Sequence, residues 1–166
     1  MYALAIQNNM DRSVGVNALV TAYDADGKAI GVDSSTLSVI GSGEEYVMCF
    51  DLRAEGAIDH IAYELRYAES TIAQDTKKEL TIEETTRPDG VEVSVTNKGV
   101  MRLNFVYATV LFLDSDGHVV YCAEESFKNE LAKYYEPGEA QTCFFECPVA
   151  FDKALTFINC YKVSGS

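Results

Sequence analysis

Two short carboxylate clusters carry the sharpest chemistry in this chain. Asp24-Ala25-Asp26-Gly27 returns ninety positions later as Asp114-Ser115-Asp116-Gly117. Alternate aspartates followed by glycine can begin a calcium loop, because carboxylate oxygens at every second position converge on one hard cation. A loop of the EF-hand kind also needs a Glu about twelve positions from its first Asp, between flanking helices. Thr36 and Ser126 occupy roughly those places. The same residue types build a tight hairpin turn, in which Asp accepts backbone amides and Gly takes a positive φ angle. The hairpin is the expected role, and Asp24, Asp26, Asp114 and Asp116 are the candidate metal ligands beside it.

Other reactive side chains are sparse. His60 and His118 are the only histidines, at non-equivalent places, and no Gly-x-Ser-x-Gly elbow accompanies either. Gly41-Ser42-Gly43-Glu44 lacks the Lys of a phosphate-cradling loop. No catalysis and no cofactor are expected. The cysteines are Cys49, Cys122, Cys143, Cys147 and Cys160. An odd count excludes complete internal pairing. Cys143 and Cys147 would lie about 13 Å apart along one strand, too far for a disulfide. Free core thiols are favoured, one disulfide within the second half stays open, and metal is the weakest reading. Tyr134 and Tyr135, near Phe144 and Phe145, are the candidate ligand-binding residues: tyrosines in an inserted loop can stack on a sugar or anchor a peptide. The competing role is closure of the end of the core.

Charge narrows the partners. The chain holds 26 acidic and 13 basic residues, a net of −13. The first 68 residues carry 10 acidic and 4 basic groups (−6), and the rest carry 16 and 9 (−7). Both halves repel phosphate backbones and anionic lipid, so nucleic acid is not an expected partner. No run reaches the roughly 18 apolar residues of a membrane span. The opening Met1-Tyr2-Ala3-Leu4-Ala5-Ile6 lacks the basic region of an export signal.

These groups must be positioned by strands. Val16, Ala18, Val20 and Ala22 alternate along one face before the first Asp-x-Asp-Gly, and Val106, Ala108, Val110 and Phe112 repeat the pattern before the second. Leu19, Thr21 and Tyr23 form the opposite face of the first, and Tyr107, Thr109, Leu111 and Leu113 that of the second, where partial cover is expected. Short β-branched and aromatic runs follow each turn: 28–32, 36–40, 46–52 and 61–67, then 119–123, 141–147 and 155–161. The only helical candidate is Glu125 to Tyr135, which breaks at Glu136-Pro137-Gly138. The expected fold is all-β: two tandem immunoglobulin-like β-sandwich units, 1–68 and 79–166, joined by a polar linker at 69–78. Gly27 to Gly43 spans 16 residues and Gly117 to Gly138 spans 21, so the second unit carries an insertion around Lys128–Tyr135. It also has a leading strand, 79–85, turned at Arg87-Pro88-Asp89-Gly90 into 91–95. The first unit starts at the equivalent of that second strand, so its opening strand is expected to be missing or supplied from elsewhere.

An Asn-ending strand (Asn8 or Asn9, and Asn97), a strand closing on Tyr23-Asp24-Ala25-Asp26-Gly27 or Leu113-Asp114-Ser115-Asp116-Gly117, and then Ser42-Gly43-Glu44 or Pro137-Gly138-Glu139 together resemble the FxLYD-type family. In its name-giving motif, Val20–Asp24 keeps only the final Tyr-Asp, and Val110–Asp114 only the Asp. The resemblance implies immunoglobulin-like domains of bacterial extracytoplasmic proteins, often in tandem, with no assigned catalytic residues. The expected function is a non-catalytic binding or spacer module of a cell-envelope or secreted protein. Its partners would be protein or cell-wall glycan, and its export signal would be absent from this chain. The alternative is an assembly protein whose open β-edge accepts a strand from a partner or an upstream segment.

Overall fold

The computed structural model describes residues 1–71, 73–127 and 134–163. The chain divides into two compact units, Met1–Ser70 and Thr71–Ser166. Every sheet is antiparallel, and among the described residues the one helical element is a single 3-10 turn at Lys77–Glu79.

The first unit contains β1 (Tyr2–Gln7), β2 (Val14–Tyr23), β3 (Ala29–Ile40), β4 (Glu45–Phe50) and β5 (His60–Glu69). One sheet has the order β1-β4 and the other β3-β2-β5. The alternation on β2 works as its sequence dictates: Val16, Ala18, Val20 and Ala22 are buried, with Val39, Val47 and Phe50. The two runs expected at 28–32 and 36–40 form one strand, β3, because Asp33-Ser34-Ser35 between them keep pairing with Val20, Leu19 and Ala18 of β2 instead of turning.

The second unit contains β6 (Ala73–Asp75), the 3-10 turn, β7 (Leu80–Arg87), β8 (Gly90–Asn97), β9 (Phe105–Leu113), β10 (Val119–Ser126), β11 (Ala140–Glu146) and β12 (Lys153–Val163). Its sheets are ordered β11-β8-β7 and β10-β9-β12-β6. Both sheets feed one core: Val91, Val93 and Val95 of β8 and Phe145 of β11 cluster with Val106, Ala108, Val110 and Phe112 of β9 and Ile158 and Cys160 of β12. Each fully buried Val removes apolar surface worth about 1.5–3 kcal/mol.

The unit boundary differs from the expected linker. Ala73–Asp75 pairs with Tyr161–Val163 of β12, and the Thr76 amide donates to the Cys160 carbonyl at 3.0 Å. Most of the polar stretch at 69–78 is therefore built into the second unit, since backbone pairing needs no apolar period. The helical candidate begins inside β10, which continues to Ser126. Residues 128–133 of the insertion lie outside the described residues.

Strand by strand, β8, β9, β10, β11 and β12 repeat β1, β2, β3, β4 and β5. β7 has no counterpart in the first unit, whose described residues are continuous.

Candidate functional site

The paired aspartates sit in two copies of one hairpin turn. Asp24 Oδ1 accepts the amides of Asp26 at 3.0 Å and Lys28 at 2.9 Å, and the Gly27 amide closes on the Asp24 carbonyl at 3.0 Å. Asp114 Oδ1 accepts the amides of Asp116 at 3.0 Å and His118 at 2.8 Å. Gly27 and Gly117 adopt φ of 77° and 85°, which a side chain at those positions would strain. The His118 amide, joined by its ring and by the Asp116 amide, holds the Asp114 carboxyl below the usual range against slight desolvation. These bonds give each first aspartate a turn-closing role. Among the described residues no group of three or more His, Cys, Asp or Glu is placed to hold a metal ion.

The aromatic candidates separate. Tyr135 is 1% exposed, and its hydroxyl donates to the Val95 carbonyl at 2.7 Å. Its backbone exchanges two hydrogen bonds with Leu103, of 3.0 and 2.7 Å. Burial, reinforced by the nearby Glu139 charge, pushes its phenol pKa up. Tyr135 is thus a core residue that holds β8, and its ring is closed to a ligand. Of its two expected roles, contact residue and closure of the core, the burial favours the second, with the hydroxyl satisfied by a buried carbonyl. Tyr134 is half-buried, with the Arg102 guanidinium 3.8 Å from its ring centre. Phe145 is core and Phe144 is exposed beside Arg87. The four rings do not form one surface.

His60 stacks on Tyr23 with ring centres 5.0 Å apart, and its Nδ1 lies 3.0 Å from Asp59 Oδ2. His118 contacts Asp114 in the turn at 3.3 Å. Cys143, Cys147 and Cys160 are not joined in disulfides. A disulfide within the second half needs two of its four cysteines, so the alternative left open there does not hold. Burial raises the Cys143 thiol pKa, which opposes its reactivity. A shallow hollow on the outer face of β3-β2-β5 is lined by Asn17, Leu19, Thr36, Glu64 and Arg66, among others.

Two features were marked by the sequence only in part, as strand-end asparagines and a missing opening strand. One is a buried asparagine corner made twice. Asn8 Nδ2 donates to the carbonyls of Arg12, Ile40 and Gly41 at 2.8–3.0 Å, and its Oδ1 accepts the Met10 amide at 3.0 Å. Asn97 Nδ2 donates to the Met101 and Tyr135 carbonyls at 2.9 and 3.0 Å, and its Oδ1 accepts the Gly99 amide at 2.9 Å. Gly43 and Gly138 donate their amides to the Asn8 and Asn97 carbonyls, both at 2.8 Å. Asn8, not Asn9, is the equivalent of Asn97.

The other feature is an uncovered strip on the first unit. Tyr67, Leu65, Tyr63 and Ile61 of β5 stand opposite Val16, Ala18, Val20 and Ala22, on the inner face. Cys160, Ile158, Thr156 and Ala154 stand in the same places opposite β9. Cys160 and Ile158 are 0% and 3% exposed, whereas Tyr67 and Leu65 are 64% and 38% exposed. In the second unit the segment Ala73–Arg87 provides cover: the Thr76 hydroxyl sits 3.2 Å from Cys160 Sγ, and Leu80 and Ile82 pack on the core. Among the described residues the first unit also leaves one edge of β1 without a neighbouring strand. Asn8 bonds towards β4, with its N–H on the Glu44 carbonyl, so by strand alternation the amides of Ala3, Ala5 and Gln7 face away from β4. The sequence signal was the strict alternation of Ile61, Tyr63, Leu65 and Tyr67 with Ala62, Glu64, Arg66 and Ala68.

Set against known proteins, the chain matches no family model and no curated protein sequence.

Proposed function

We propose that the chain is a non-catalytic binding or spacer module, two immunoglobulin-like sandwiches in tandem, from a bacterial cell-envelope or secreted protein. The observation that carries this reading is the asparagine corner and Asp-x-Asp-Gly hairpin, built with the same bonds in both units. Repetition of one small scaffold suits presentation of surface. The groups from which chemistry could have been made serve the scaffold: Asp24 and Asp114 close turns, and Tyr135 holds β8. The resemblance to FxLYD-type domains points the same way, since its strand-end asparagine falls at Asn8 and Asn97. Co-sedimentation of the purified chain with bacterial envelope preparations tests the reading. Saturable, calcium-independent retention is expected, and loss of retention in Tyr134→Ala would place the contact at the insertion. No retention would overturn the envelope-binding role.

A second reading is favoured by the β1 edge and the uncovered β5 strip: an assembly protein whose first unit accepts a strand. All eight outermost strands of the four sheets except β1 carry at least one Asp or Glu, the charges by which proteins discourage edge pairing. β1, Tyr-Ala-Leu-Ala-Ile-Gln, has no charge and no proline.

A further inference from the structure

Resting on the strand-accepting reading, we infer that the first unit takes one extended strand from a partner chain, antiparallel to β1, with the apolar spacing of β7. The second unit supplies the template. There Ile82 stands opposite Val95 and Leu80 opposite Asn97, while Thr81, Glu83 and Thr85 stand opposite Thr96, Ser94 and Glu92. Ile6 and Asn8 hold the places of Val95 and Asn97 in the first unit. The incoming strand therefore presents one apolar side chain opposite Ile6 and another, two residues earlier, opposite Asn8. Its intervening residues bond the amides and carbonyls of Gln7, Ala5 and Ala3.

Burial defines the rest of the site. Val91, Val93 and Val95 of β8 are fully buried under their neighbours, but Tyr2 and Ile6 of β1 are only partly buried. β5 alternates as a strand with one buried face, yet that face is bare at Tyr63, Leu65 and Tyr67. One strand laid along β1 would satisfy the free backbone edge and cover this apolar strip together. An apolar pair at alternate positions, set in an otherwise polar strand, is what β7 itself carries and what its own site selects. A partner strand is favoured over a second molecule of this chain because each molecule carries a net charge of −13.

The probe is a labelled peptide with the chain's own sequence from Ala73 to Arg87, titrated with the full chain and followed by fluorescence anisotropy. Saturable binding to a monomeric chain is expected. Replacing Leu80 and Ile82 of the peptide by Asp should weaken binding about a hundredfold, as two buried apolar contacts are lost. Ala5→Pro in the chain should abolish binding, because it removes an edge amide without touching the bonds to β4. Equal binding of peptide and Asp variant would overturn the proposed register. A chain that dimerises alone, falls to monomer in Ala5→Pro and excludes the peptide would overturn the partner strand while leaving strand acceptance intact. A monomer indifferent to the peptide at millimolar concentration would remove the strand-accepting reading itself.

Discussion

The two units fold on one plan but finish it differently. In the second, β7 lies beside β8, and Ile158 and Cys160 disappear into the core. In the first, the sheet stops at β1, and the side chains in those places, Leu65 and Tyr67, meet solvent. The lesson is that inner-face patterning belongs to a strand, but its burial belongs to whatever strand the facing layer supplies. The largest expected effect tests this directly. Ile158→Ala should destabilise the second unit by about 3 kcal/mol through lost burial and a residual cavity. Leu65→Ala should change the first unit by less than about 0.5 kcal/mol. Urea unfolding followed by signals from each unit measures both. Equal costs would mean that the β5 strip is covered in solution, and the comparison would fail.

The asparagine corner is where the units should behave alike. Removing Asn97 takes one bond each from the Met101 carbonyl, the Gly99 amide and the Tyr135 carbonyl, the last of which keeps the Leu103 amide. Removing Asn8 takes one bond each from the carbonyls of Arg12, Ile40 and Gly41 and from the Met10 amide, with the Gly41 carbonyl keeping the Glu44 amide. Either Asn→Ala change should cost about 2–3 kcal/mol, since several buried polar groups lose partners at once. A cost confined to Asn97 would show that the first unit's corner is hydrated and that the repeat is one of shape only. Thermal unfolding of the two variants beside the parent chain decides this.

Much of this architecture is legible in the sequence, and the failures share a cause. The β2 and β9 faces, the two Asp-x-Asp-Gly turns and the leading strand of the second unit are local: period and turn chemistry specify them. The outer face of β9, expected to be partly covered, is buried at Thr109, Leu111 and Leu113, while Leu19 on the outer face of β2 is exposed. What the sequence could not show is which distant group satisfies which. Tyr134 and Tyr135 read as a matched pair on a loop, but one hydroxyl reaches a β8 carbonyl forty residues away. The strand at Ala73–Asp75 has no apolar period because backbone pairing with β12 places it. The bare β5 strip could be recognised only after its counterpart was seen covered.

Tyr135 gives a smaller test, confined to the second unit, where its hydroxyl holds the Val95 carbonyl of β8. Tyr135→Phe keeps the ring and removes the hydroxyl's bond to the Val95 carbonyl, which should cost about 1 kcal/mol in the second unit alone. Unfolding monitored at β8 by hydrogen exchange should show the loss there first.

The smallest effect separates the two hairpins. Both close on an aspartate, but only the second adds a histidine, whose amide donates to Asp114 and whose ring faces it. The folded state therefore lowers the Asp114 pKa below its ordinary value. A carboxyl depressed on folding contributes stability above its unfolded pKa and loses that contribution as pH falls through the folded value. Stability of the second unit should thus decline on acidification below the ordinary carboxylate range, and Asp114→Asn should flatten that part of the profile. Because the carboxyl is exposed, salt should reduce the effect as well. NMR titration of the Asp114 carboxyl carbon is the direct readout: a midpoint at or above that of an unstructured aspartate would mean that the His118 contacts do not hold the ionised form, and the hairpins would then be equivalent in charge as well as in shape.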